Sequence, residues 1–101
     1  MLKWKNVKVS NKAPPSWAKS WIDFWEQKSD TKAKKCSVLG CGADATEGAQ
    51  VKKVKLRSNQ DQDWYIIPVC HKCNENETKE FELKSGVKPI KMTDKEKPNK
   101  K

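Results

Sequence analysis

The sequence predicts a small α+β domain clamped by a metal ion, and three observations carry that expectation. Four cysteines fall into two close pairs, Cys36 with Cys41 and Cys70 with Cys73. Between the pairs lie two runs rich in β-branched and aromatic residues, QVKKVKL and WYIIPVC, joined by the polar, turn-rich RSNQDQD; this is the pattern of a β-hairpin. Ahead of the first pair, Trp17, Trp21, Phe24 and Trp25 recur at helical spacing, which puts them on one stripe of an amphipathic helix.

Composition explains the need for a clamp. A chain of 101 residues, 35% hydrophobic and 35% charged, fits one domain with a small core. Such cores usually require disulfides or a structural metal. The opening MLKWKNVKVS lacks the apolar run of a secretory signal, and the mostly apolar YIIPVC is far too short to span a membrane. The expectation is a cytoplasmic protein with no membrane partner, whose thiols stay reduced and bind metal rather than pair.

Along the chain, residues 1–14 read as an extended segment, with Trp4, Val7 and Val9 set among lysines. Pro14 and Pro15 end it, and Ser16 is placed to cap a helix that starts at Trp17. A chain so poor in aliphatic side chains needs part of the aromatic stripe in its core. The competing use is an exposed platform for bases, or a docking face for a protein partner made by Trp17, Trp21 and Trp25. The polar KSDTKAKK leads into CSVLGCG, where Gly40 and Gly42 permit the left-handed backbone of a tight thiolate turn. After the hairpin, Pro68 marks the end or edge of the second strand. The run HKCNENETKEFELK reads as a helix from His71 to Lys84, stopped by Gly86 and Pro89. The domain is thus expected to span residues 15–85, followed by a basic tail over 86–101 that is mobile beyond Ile90.

Cys36-x4-Cys41, 28 intervening residues and Cys70-x2-Cys73 supply four soft ligands on two short turns. That set suits tetrahedral Zn2+, and four thiolates leave no open position for a catalytic water. His71 can in principle displace a thiolate, but beside Cys70 it is expected to lie exposed or next to the centre. A redox role for Cys70 and Cys73 fits poorly, because that motif opens a helix in a βαβ unit without a second cysteine pair. Haem attachment requires a histidine where Asn74 stands.

The net charge of +9 favours polyanionic partners, although residues 84–101, with seven lysines against two acids, hold more than half of the excess. On the body, Lys52, Lys53, Lys55 and Arg57 are candidate phosphate contacts; the bland alternative is a solvated strand face.

A zinc knuckle, a hairpin and a helix whose first turn carries the second ligand pair form the layout of a treble clef, here with an additional N-terminal aromatic-rich helix. Within that group, the run from CSVLGCG through EGAQV to WYIIPVCHKCN resembles the HNH endonuclease family over residues 36–75. The resemblance implies a structural zinc, and a general-base histidine on the first hairpin strand. Gln50 occupies that position and cannot take a proton near neutral pH. Asn74 matches the last motif position, where it would contact metal or phosphate. The expectation is therefore a non-catalytic, zinc-stabilised protein that binds nucleic acid, DNA foremost. One alternative is a divergent HNH nuclease that recruits His71, with Asn74 and a bound Mg2+ or Mn2+. Another is a phage or mobile-element accessory protein acting through its tryptophan face.

Overall fold

The computed structural model describes residues 3–6, 14–54, 63–75 and 80–93. Its elements are β1 (Lys3–Asn6), α1 (Trp21–Ser29), β2 (Glu47–Val54), β3 (Tyr65–Val69), α2 (His71–Glu75), β4 (Glu80–Phe81) and β5 (Ile90–Lys91). The strands form one sheet in the order β4-β1-β2-β3-β5, antiparallel at every step. The α+β class expected from the sequence is found among the described residues.

Side chains alternate between the two faces of a strand, and that alternation divides the core. Ala49 and Val51 of β2 and Ile67 and Val69 of β3 share one face with Trp4 and the buried Cys36 and Cys70. Ile66, between them on β3, turns to the other face, where Phe24, Trp25, Trp64 and Met92 gather. One face is thus closed by the cysteine turns and the other by α1. Gly48 explains how closely α1 sits on β2: a β-carbon there would lie 2.5 Å from the backbone carbonyl carbon of Trp21. Only glycine leaves room for that approach.

Five expectations are corrected. The helix begins at Trp21, not Trp17, because Ser20 accepts the Asp23 amide at 3.1 Å while the Asp23 carboxylate accepts the Lys19 amide at 2.9 Å. These two bonds place the cap at Ser20 rather than Ser16, and the segment before it closes as a turn through Ala18 N–H to the Pro15 carbonyl, 2.9 Å. Trp17 therefore precedes the helix. It is 46% exposed and stacks on Phe24 at 5.3 Å, whereas Trp25 is buried and donates its Nε1–H to the Lys88 carbonyl at 2.8 Å. Trp21 is half-buried with its edge on Phe24, so the three tryptophans do not share an exposed docking face.

The helix from His71 ends at Glu75, and Glu80–Phe81 pair as a strand with β1, Trp4 opposite Phe81. The run EFELK alternates, and both Phe81 and Leu83 pack on the cysteine-side core; burial of that alternate set outweighs the helix propensity of the residues between. The chain also remains structured past residue 86. Ile90 pairs with Ile66, and the buried Met92 donates its amide to the Trp64 carbonyl at 2.8 Å. Finally, β1 lies inside the sheet, between β2 and β4, so the fold draws on residues on both sides of 15–85. Val7 and Val9, and the tail from residue 94, lie outside the described residues.

Candidate metal centre

The first cysteine turn is built by its backbone. The Cys36 amide donates to the Ala43 carbonyl at 2.8 Å and the Cys41 amide to the Val38 carbonyl at 3.0 Å. Gly40 sits at φ 89°, the left-handed backbone anticipated there, while Gly42 is not in that region. Outside the turn, the Lys35 ammonium meets the Asp44 carboxylate at 2.8 Å. Buried Ser37 then ties the turn to β3, since its amide and hydroxyl both donate to the Pro68 carbonyl, at 3.0 and 2.7 Å. Pro68 stands two residues before Cys70, so this double bond brings the two cysteine pairs together.

The second pair opens α2. The Cys73 amide points at the Cys70 sulfur, 3.4 Å away, which satisfies one orphan donor of the first helical turn. All four Sγ atoms lie within 4.8 Å of one another, and Cys41 and Cys70 are 3.8 Å apart. A tetrahedral ion with metal–sulfur bonds of about 2.3 Å needs sulfur–sulfur edges of about 3.8 Å. A disulfide, by contrast, needs about 2.05 Å, and all four cysteines are free. The donor set and its spacing fit a structural metal such as zinc.

The thiols are not equivalent. The Ala43 amide holds the Cys41 thiol down to about 7, so it ionises near neutral pH. Burial pushes the Cys36 and Cys73 thiols up, as expected for charge in a poor dielectric. A cation among the four sulfurs reverses that penalty by compensating the thiolate charges.

Beside the centre, one carboxylate holds both residues that follow the second pair of thiols. Glu47 Oε2 lies 2.6 Å from His71 Nδ1 and Glu47 Oε1 accepts the Asn74 amide at 2.7 Å. Partial burial opposes ionisation of Glu47, but the hydrogen bonds from Asn74 and His71 prevail and hold its carboxyl below the usual range. The Glu47 hydrogen bond raises His71, whose Nε2 also meets Glu75 at 3.1 Å. Both imidazole nitrogens thus face carboxylates, and His71 is not among the clustered ligand atoms.

Gln50 lies between Ala49 and Val51, and so points to the α1 face of the sheet, opposite to the side where His71 and Asn74 meet Glu47. Lys52 and Lys53 also part company. The Lys52 ammonium sits 5.9 Å from the Trp64 ring on the α1 face, while that of Lys53 is 5.3 Å from Tyr65 on the other. Lys55 and Arg57 lie outside the described residues.

Sequence reasoning missed Ser37, Glu47 and Asn6, whose side chain donates to the Cys73 carbonyl at 2.8 Å. Only Asn6 carried a signal, as a polar residue at the alternate position to Trp4 on an apolar strand face.

Comparison with known protein families, curated proteins and solved structures finds no match. Among the described residues no helix is long and apolar enough to cross a membrane.

Proposed function

We propose that the chain is a zinc-clamped, non-catalytic nucleic-acid-binding module on an HNH-like, treble-clef scaffold. Zinc suits the four sulfurs in donor softness, the set lies within 4.8 Å, and the Cys41–Cys70 edge of 3.8 Å has the tetrahedral length. Four protein ligands complete a tetrahedral shell, so the ion acts as a staple. The observation that carries the non-catalytic reading is Gln50: it replaces the proton acceptor and points away from His71 and Asn74.

Nucleic-acid binding is supported by charge and by one feature of the sheet. Lys5 stands directly opposite Lys52 across β1 and β2, a like-charge pair that costs stability unless an anion lies over it. Among the described residues α1 packs chiefly on β2, β3 and β5, away from the β1 side of that face, where the phosphate backbone would lie. Of the four contacts expected from the sequence, Lys52 stays in this reading, Lys53 belongs to the opposite face, and Lys55 and Arg57 lie outside the described residues.

Fluorescence anisotropy with duplex and single-stranded DNA, across a salt series, tests the reading. Binding should weaken steeply with salt, and Lys5→Ala with Lys52→Ala should flatten the log–log slope by about 2. No binding at about 50 mM salt sinks the proposal, because phosphate contacts are strongest there. Plasmid incubated with the zinc-loaded protein and Mg2+ or Mn2+ should stay intact. Cleavage that His71→Ala abolishes would establish the nuclease alternative instead.

A further inference from the structure

The run CHKCN places two ligands in α2, of which His71–Glu75 is described. The Cys73 carbonyl lies in that turn. It is satisfied from the far end of the chain by Asn6, which is 5% exposed and donates its Nδ2–H at 2.8 Å. The residue after each thiol of the pair, His71 after Cys70 and Asn74 after Cys73, is held by the Glu47 carboxylate at 2.6 and 2.7 Å.

Asn6 and Glu47 sit on β1 and β2, neighbours inside the sheet, and both project to the cysteine side. Neither is a metal ligand. Between them they fix the helix turn at His71, Cys73 and Asn74, leaving little freedom for the direction in which Cys70 and Cys73 present their sulfurs. A single helical turn is unstable by itself in water, and these contacts from the sheet orient the described one.

We propose that Asn6 and Glu47 are positioning residues of the metal centre, and that metal binding in turn holds β1 in the sheet. The second half follows from the first by linkage: contacts that favour the metal-bound turn are favoured by the metal to the same extent. β4 pairs with β1 and not with β2, so the N-terminal strand and β4 would loosen together on metal loss. This inference rests on the metal reading above.

The test uses the full chain loaded with Co2+, whose visible spectrum reports thiolate geometry, and a competing chelator to measure affinity. Asn6→Ala and Glu47→Ala should each weaken binding by about 10- to 100-fold and broaden or shift the cobalt bands. Glu47→Gln, which keeps an oxygen for Asn74 and offers an amide to His71, should recover most of the affinity. Ser20→Ala, at the α1 cap on the other face, should leave the affinity unchanged. Wild-type affinity and spectrum in both alanine variants would overturn the proposal, as would an equal loss in Ser20→Ala, which would mark a general stability effect. Hydrogen exchange on the wild-type chain covers the case in which the variants fail to fold. Metal should protect the amides of residues 3–6 and 80–81 more than those of α1, and equal protection at both would overturn it. If the wild-type chain takes up no Co2+ or Zn2+, the metal reading itself falls, a result distinct from any variant effect.

Discussion

The two faces of the sheet close by different means. On the α1 face, Phe24, Trp25, Trp64, Ile66 and Met92 make a core of large apolar side chains, each fully buried one worth about 1.5–3 kcal/mol. On the other face Trp4, Val51, Ile67 and Val69 are buried as well, but there four thiols share the filling. Charge that would be costly there becomes an anchor once a cation joins it. One face is closed by apolar side chains alone, the other by apolar side chains around a candidate metal centre, and β2 and β3 contribute to both.

The largest expected effect tests that sharing. Chelation, or Cys70→Ser, removes a contribution on the order of 10 kcal/mol, typical of small structural zinc sites. The cysteine face should loosen, β1 and β4 with it, while β2 and β3 stay packed on α1 through the other core, seen as a partial loss of the far-ultraviolet circular dichroism signal with the near-ultraviolet tryptophan signals of that core retained. Loss of both signals together would show that the aromatic half does not fold without the metal.

Within the α1 face, Trp25 and Trp17 offer an internal contrast. Trp25→Ala removes a buried ring and its bond to the Lys88 carbonyl, and should cost about 3–5 kcal/mol in urea unfolding of the metal-loaded protein. Trp17→Ala removes a half-exposed ring and should cost well under half as much. Equal costs would mean that the stack of Trp17 on Phe24 contributes far more than its exposure implies.

Gly48→Ala probes the seam between β2 and α1. The added methyl meets backbone atoms of Trp21 and Ile22 at 2.5 and 2.6 Å, so the helix must lift rather than a side chain rotate. A loss of about 1–3 kcal/mol is expected, with metal affinity unchanged because the seam lies on the face away from the thiols. Weaker metal binding in this variant would show that strain crosses the sheet.

The same division explains what the sequence made legible. The cysteine pairs and the hairpin between them follow from spacing and β-propensity, both local signals. β1, β4 and β5 depend on partners far away in the chain: Trp4 on Phe81, Ile66 on Ile90. Their alternation is present in EFELK and IKM, but it spans too few residues to outweigh helix formers in one case and lysine-rich polarity in the other. Glu47 was invisible, and the partner of Asn6 was too, for a related reason, since a polar side chain reveals its partner only once the turn it holds is in place. The helix start was decided by a single residue, Asp23, which makes Ser20 rather than Ser16 the cap.

That cap gives the smallest effect and the clearest sign. Ser20→Ala should cost about 1 kcal/mol, with no change at the thiols. The Lys19 amide, and after it the Gln27 side chain, hold the Asp23 carboxyl below its ordinary value. Its folded-state value is therefore lower than its unfolded one, so its contribution is fully present above the ordinary carboxylate range and is lost as pH falls through the depressed value. Acid also protonates the thiolates and releases metal, but it does so equally in wild type and in Asp23→Asn. The difference in Tm between those two proteins isolates the cap: it should be widest near neutral pH and shrink as the solution is acidified. A difference that grows towards low pH would reverse the sign and remove Asp23 from the cap.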